Sequence, residues 1–157
     1  MRASCCGNCR TPATGTSGSC EVVIIKLHMS KRRSIEVPGL EHTHPIPNAS
    51  RVGPLLISGG IYGKDPATGK LAPDAPGQCK LMFENVRRVL EAGGATPEQI
   101  VKVNVWMKNK DDRVHLNPEW LAMFPDPHSR PARHTFLDAD QPYGALVSCE
   151  VIAVITD

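Results

Sequence analysis

Apolar residues recur along this chain with two alternating periods. Between Gln78 and Ala92, Met82, Val86, Val89 and Leu90 fall at i, i+4, i+7 and i+8, while Lys80, Glu84, Arg87, Arg88 and Glu91 mostly take the other side. That spacing predicts an amphipathic helix, stopped at Gly93-Gly94. Thr96-Pro97-Glu98-Gln99 reads as a capped single turn, with Thr96 as N-cap and Pro97 at the first helical position. The period then drops to two. In "IVKVNVWM", residues 100–107, Val101, Val103, Val105 and Met107 face one way and Lys102, Asn104 and Trp106 the other, as in a strand with one buried face. A second helix is expected from Asn117-Pro118-Glu119, with Asn117 as cap, Trp120, Leu121, Met123 and Phe124 packing inward, and Pro125 and Pro127 ending it. Strand-like runs follow at 132–137 and 145–155, joined by the turn "DADQPYG". Upstream, "PLLISGGI" at 54–61 suits a buried strand whose glycine-rich end lies close to other backbone, and "GKDPATGK" at 63–70 carries turn signals.

The predicted order is β-β-α-β-α-β-β, with the helices spaced so that both cover one face of a single sheet, a two-layer α+β domain. In the last run, Val147, Cys149, Val151, Ala153 and Ile155 alternate with Leu146, Ser148, Ile152 and Val154, so neither side is clearly polar. Burial on both faces is expected there, and hence a homo-oligomer whose sheets meet.

The N-terminal part differs in kind. Its first 28 residues hold four of the six cysteines, Cys5, Cys6, Cys9 and Cys20, among Gly, Ser, Thr and Pro, before a short apolar run at 22–27. We read residues 1–33 as a disordered extension, one account of which is translation from an upstream start with the functional chain beginning at Met29, and 34–157 as the folded domain. Cys6 and Cys9 have the C-x-x-C spacing of a zinc grip, but no second ligand pair follows, so no metal is expected. Cys79 and Cys149 sit in apolar patterns, as buried thiols do. A net charge of +2, from 18 basic and 16 acidic residues, gives no reason to expect a nucleic-acid or membrane surface. No run approaches the roughly 20 apolar residues of a membrane span. A small molecule or another subunit is the expected partner, and the cytoplasm the expected location.

Glu150 breaks the last strand's pattern: a carboxylate within "LVSCEVIAVI" costs several kcal/mol if left unpaired. One reading is a buried ion pair that fixes register. The other joins it to Arg133, in "SRPARHTF", across a cleft reached if the two strands are antiparallel and joined through the 138–144 turn. There a guanidinium fork would grip a carboxylate bidentately, while a desolvated carboxylate would hold and activate water.

"PARHTF" and the strand carrying "CEVIAV", together with "ISGGIYGKDPATGKL", "FENVRRVLEAGGATPEQIVKVNVWMKN" and "LNPEWLAMF", resemble in order and spacing the Rid/YjgF family of reactive-intermediate imine/enamine deaminases, over about Val52 to Ile155. The resemblance implies a chorismate-mutase-like α+β subunit assembled as a homotrimer with three ligand clefts at the subunit interfaces. It implies Arg133 as the binder of a substrate carboxylate, Glu150 as the residue that positions and activates water, and Ser58 and Asn117 as pocket residues. The implied reaction hydrolyses a 2-imino acid, in exchange with its enamine, to a 2-oxo acid and ammonia, without metal or organic cofactor. Ser58 also reads as a turn residue before Gly59-Gly60, and Asn117 as no more than the helix cap.

Two positions depart from that family. Where members commonly carry a G-P-Y-S-Q-like segment, this chain has "HTHPIPNAS", 42–50, with Pro45 at the aromatic position. His44 either replaces the tyrosine as a wall or proton-handling group, or is exposed together with His42. Two residues past the arginine, a position that is often cysteine, stands Thr135, counted here among the substrate-binding residues. Trp106 and Tyr62 then suit a pocket for a larger enamine acid, of the aminomuconate type. Three function classes follow: an imine/enamine deaminase; a trimeric ligand-binding regulator using the same cleft without turnover; and an RNA-cleaving or chaperone-like protein, which calls for a basic groove that the near-balanced charge does not suggest.

Overall fold

The computed structural model describes residues 31–156, folded around one mixed sheet. The strands are β1 (Arg33–Ile35), β2 (Ala49–Val52), β3 (Leu55–Ser58), β4 (Ile61–Tyr62), β5 (Ile100–Met107), β6 (Ala132–Leu137) and β7 (Val147–Val154), and the helices α1 (Ala75–Gly93) and α2 (Arg113–Met123). Their lateral order is β1-β2-β3-β7-β5-β6, with β4 pairing β7 beyond the end of β3. Only β5 and β6 run parallel, because α2 carries the chain back between them.

Helix α1 starts where Asp74, in extended conformation, accepts a hydrogen bond from the Gly77 N–H (2.9 Å), and ends where Gly94 turns left-handed at φ 73°. Its inward stripe of Met82, Val86, Val89 and Leu90 is the one the periodicity predicts, and each side chain is buried against the sheet, a contribution of roughly 1.5–3 kcal/mol apiece. Arg51 of β2 donates to the Gly93 carbonyl (2.8 Å), tying the helix end to the sheet edge.

The sequence reading needs four corrections, the first being that Leu121 of α2, expected to pack inward, is 48% exposed. The run 54–61 is two strands, interrupted at Gly59-Gly60, and β2 lies before it. Val101 is half exposed, because a register irregularity between Ile100 and Lys102 turns it away while Ile100, Val103, Val105 and Met107 stay buried. Helix α2 begins at Arg113, so Asn117 and Pro118 stand within it and Asn117 is not its cap. Pro118 gives up one backbone hydrogen bond there, a loss that the burial of Leu116 and Trp120 on the same helix opposes.

The face of the sheet opposite the helices is uncovered within one chain. Leu55, Ile57, Phe136 and Val154 are 37–44% exposed on it, and His134, Phe136 and Trp106 stack in a row across it, with ring centroids 4.0 and 5.4 Å apart. The four-cysteine segment lies outside the described residues.

Candidate active site

Arg133 and Glu150 belong to opposite faces of the sheet. Arg133 is in register with Val103 of β5, which is in register with Val151; Glu150 is in register with Asn104, and Asn104 with His134. Partners in register share a face and successive residues alternate, so Arg133 points to the helix side with Val103 and Val151, and Glu150 to the uncovered side. The expectation that both reach one cleft through the 138–144 turn is thereby corrected: β5 lies between β6 and β7, and the pair straddles the sheet.

On the helix side, Arg133 is held from two directions. Its Nη2 donates to Asn117 Oδ1 (3.0 Å), and its guanidinium lies 4.6 Å from the centre of the Trp120 ring. Asn117 and Trp120 are i and i+3 on α2 and so meet the strand on one helix face. Nη1 is buried and without a hydrogen-bond partner, and no carboxylate pairs with the arginine among the described residues. Burial, and then the neighbouring Arg113, push the guanidinium below its ordinary pKa, yet it stays charged at neutral pH. A half-buried cation with one buried, unsatisfied donor and a cationic neighbour is suited to receive an anion. Thr135, two residues on, is half-buried on the same face. Trp120, which the sequence reading gave only to the core, is the platform under the guanidinium; its i, i+3 spacing from Asn117 was the available signal.

The other group gathers around the break between β3 and β4. Ser58 ends β3 on the helix-side face, two residues along from Leu56; it is buried, and its Oγ accepts the Val151 N–H (2.9 Å), which leaves its own proton to donate. Gly59 N–H is held by the Asn48 carbonyl (2.8 Å). Tyr62, in register with Ser148, lies on the same face as Glu150, two residues along β7 from Ser148. The Tyr62 hydroxyl is pushed up chiefly by burial, then by Tyr143 and by Glu150. Glu150 is half-buried and makes no ion pair among the described residues. A cavity of about 300 Å³ opens beside Gly60, lined among others by His42, Tyr62, Lys64 and Tyr143. His44 is exposed and does not line it; His42, two residues earlier, does, with a buried Nε2 that has no partner.

Among the described residues no three His, Cys, Asp or Glu side chains cluster as metal ligands, and no helix is long and apolar enough to cross a membrane. Cys79 and Cys149 are buried free thiols; burial raises both, Cys79 to about 12.

Comparison with known proteins bears on this arrangement. Residues 40–155 match the family model described as Endoribonuclease L-PSP. A 2-iminobutanoate/2-iminopropanoate deaminase of Salmonella typhimurium is 33% identical over 104 residues, 66% of this chain and 81% of the relative. A RutC family protein of Aquifex aeolicus is 34% identical over 110 residues, 70% of this chain and 88% of its own length. Among solved structures, a RidA from an Antarctic Psychrobacter superposes with a TM-score of 0.74 at 29% identity, covering 78% of this chain and 99% of that one. With the match running from the loop ahead of β2 through the end of β7, the chain belongs to the Rid/YjgF family, the one described as Endoribonuclease L-PSP.

Proposed function

We propose that this protein hydrolyses 2-imino acids and their enamine tautomers to 2-oxo acids and ammonia, at clefts that neighbouring chains of a homotrimer build together. One chain contributes Arg133, Asn117 and Thr135; the next contributes Ser58 and Glu150. The reading rests on the Arg133 guanidinium, fixed by Asn117 and Trp120 with Nη1 buried and unpaired, an arrangement that calls for a carboxylate. The name of the Salmonella relative supports the reaction class.

The chemistry asks little of the protein. An imine carbon is already electrophilic, more so when protonated, so the site must hold the acid, place a water and move protons. Arg133 fixes the substrate carboxylate. Glu150 takes a proton as water oxygen bonds to the carbon of the protonated imine and returns it to the nitrogen; as the carbon–nitrogen bond breaks and ammonia departs, it takes the hydroxyl proton of the forming carbonyl and releases it to solvent. Ser58, with its acceptor side committed to Val151, donates toward the substrate. Thr135 and the "HTHPIPNAS" loop leave the pocket mouth without the usual cysteine and tyrosine, in favour of chains longer than 2-iminobutanoate, of the aminomuconate type.

The test is ammonia release from 2-imino acids generated in place by an amino-acid oxidase. Acceleration by the wild type and its loss in Arg133→Ala supports the reading; rates equal to the uncatalysed one in both overturn it. A non-catalytic binder would keep ligand binding and show no turnover to lose in Glu150→Gln.

A further inference from the structure

The two glycines that part β3 from β4 lie opposite Glu150. Ile57 pairs with Ile152 and Ile61 with Cys149, so the four steps from 57 to 61 face only the three from 152 to 149. The extra residue makes a β-bulge: continued from β3 the register sets Gly59 against Glu150, and continued from β4 it sets Gly60 there. A cross-strand neighbour ordinarily places a side chain beside the carboxylate's own, at about 4.5–5.5 Å between Cβ atoms, and neither glycine has one. The other flank of Glu150 is filled, because Asn104 of β5 stands in register with it. The carboxylate is therefore open toward β4.

Tyr62 occupies that opening. Gly60 and Tyr62 are two residues apart and so lie on one face, the uncovered one, which Tyr62 shares with its partner Ser148. The ring folds back along the strand: a Cβ built on Gly60 would lie 3.1 Å from the Tyr62 hydroxyl oxygen and 3.3 Å from two ring carbons. The hydroxyl thus stands over the residue that faces Glu150. The upward shift of its pKa, to which the Glu150 charge contributes after burial and Tyr143, agrees with that placement. Tyr143 braces the ring edge to face, with centroids 5.7 Å apart. Ser148, the nearest other hydroxyl on the strand, has its proton committed to Gln141 Oε1 (2.8 Å) and does not compete for Glu150.

We propose that the Tyr62 hydroxyl is the second anchor of the hydrolytic water, placed with Glu150 across the glycine bulge. The inference rests on the deaminase reading and adds a residue to its machinery. Water attacks through a lone pair, so both of its hydrogens have to be directed away from the imine carbon. Glu150 accepts one, and takes it as the oxygen bonds to carbon; the tyrosine oxygen accepts the other and stops the water from rotating about the first bond. Tyr62 keeps its own proton throughout, so the proton balance of the reaction stays with Glu150. A side chain at position 60 would take the space of the hydroxyl, which gives that glycine a reason beyond the bulge.

The test begins with Tyr62→Phe, which keeps the ring and its packing on Tyr143 and removes only the hydroxyl. With imines generated by an amino-acid oxidase, kcat should fall about five- to tenfold with KM unchanged, the worth of one hydrogen bond to the reacting water. Gly60→Ala should give a fall of similar size by displacing the hydroxyl, and none beyond it when combined with Tyr62→Phe, since both act through one group. A wild-type kcat in Tyr62→Phe, or losses that multiply in the double variant, overturns the assignment, while turnover by the wild type leaves the deaminase reading standing. The second measurement needs no turnover. A crystal structure of the wild type should show one water within hydrogen-bond distance of both Tyr62 Oη and Glu150, and that of Tyr62→Phe should lack it. No such water, a hydroxyl turned away from Glu150, or a water held equally well in the variant overturns the proposal. In a protein that hydrolyses no imine, the same water would still support the anchor, and only the deaminase reading would fall.

Discussion

Arg133 on β6 and Glu150 on β7 stand one register line apart and on opposite faces of the same sheet, the first against α2 and the second on the uncovered side. With β5 lying between them as well, the two are expected to reach one small substrate from different copies of the chain.

Mixing two defective proteins tests that arrangement. The Arg133→Ala and Glu150→Gln proteins should each be inactive. When the two are unfolded together in equal amounts and refolded, a quarter of the interfaces join an intact arginine to an intact glutamate, so activity should return to about a quarter of the wild-type value. Sites contained in one chain would give no recovery, which the ammonia assay distinguishes directly.

Arginine at position 133 should not be replaceable by lysine. The guanidinium donates to Asn117 through one nitrogen, keeps another free and lies 4.6 Å from the centre of the Trp120 ring, a combination that a single ammonium does not reproduce. Arg133→Lys is expected to lower kcat/KM by roughly ten- to a hundredfold, corresponding to the loss of one or two charge-assisted bonds. Asn117→Ala should give a smaller fall, because the stack on Trp120 remains. Steady-state kinetics on one imine, with thermal unfolding to confirm an intact fold, decides both.

How much of this the sequence carried differs from element to element. The stripe of α1 and, apart from Val101, the period of β5 read directly, because each element buries one face and the apolar positions repeat with its geometry. Asn117 was misplaced because Asn-Pro is a strong helix-start signal, yet α2 starts four residues earlier and tolerates the proline within it. The consequence is functional, since a cap would direct Asn117 at backbone, whereas within the helix it meets Arg133. The opposition of Arg133 and Glu150 depends on β5 being inserted between two strands adjacent in sequence, and nothing local in either strand encodes that neighbour. His42 rather than His44 lines the cavity because the 40–48 loop has no periodicity from which a direction could be read.

The domain's thiols should be inert while it is folded. Burial holds Cys79 up at about 12 and raises Cys149 further, and position 135, on the site face, is threonine. Iodoacetamide at mild alkaline pH should leave the peptides containing Cys79 and Cys149 unmodified until denaturant is added, with activity retained throughout. Rapid labelling of either peptide in the native protein, read by mass spectrometry, would contradict the burial.

Stability should depend on pH through His42. Its pKa lies below the ordinary 6.5, first because burial disfavours the charged ring and next because Lys64 repels it, a repulsion to which His44 adds and which Glu36 partly opposes. The unfolded chain has no such penalty and binds a proton near the ordinary value. Between that value and the lower folded one, the unfolded state holds more protons, so stability falls as pH drops through this window and levels off once the folded chain is also protonated. His42→Gln removes that contribution and leaves every other titrating group in place. The drop in Tm between pH 7.5 and pH 5 should therefore be smaller in the variant than in the wild type. An equal or larger drop would mean that the ring is not held neutral against Lys64, and that the cavity wall at His42 is more open to water than its buried Nε2 indicates.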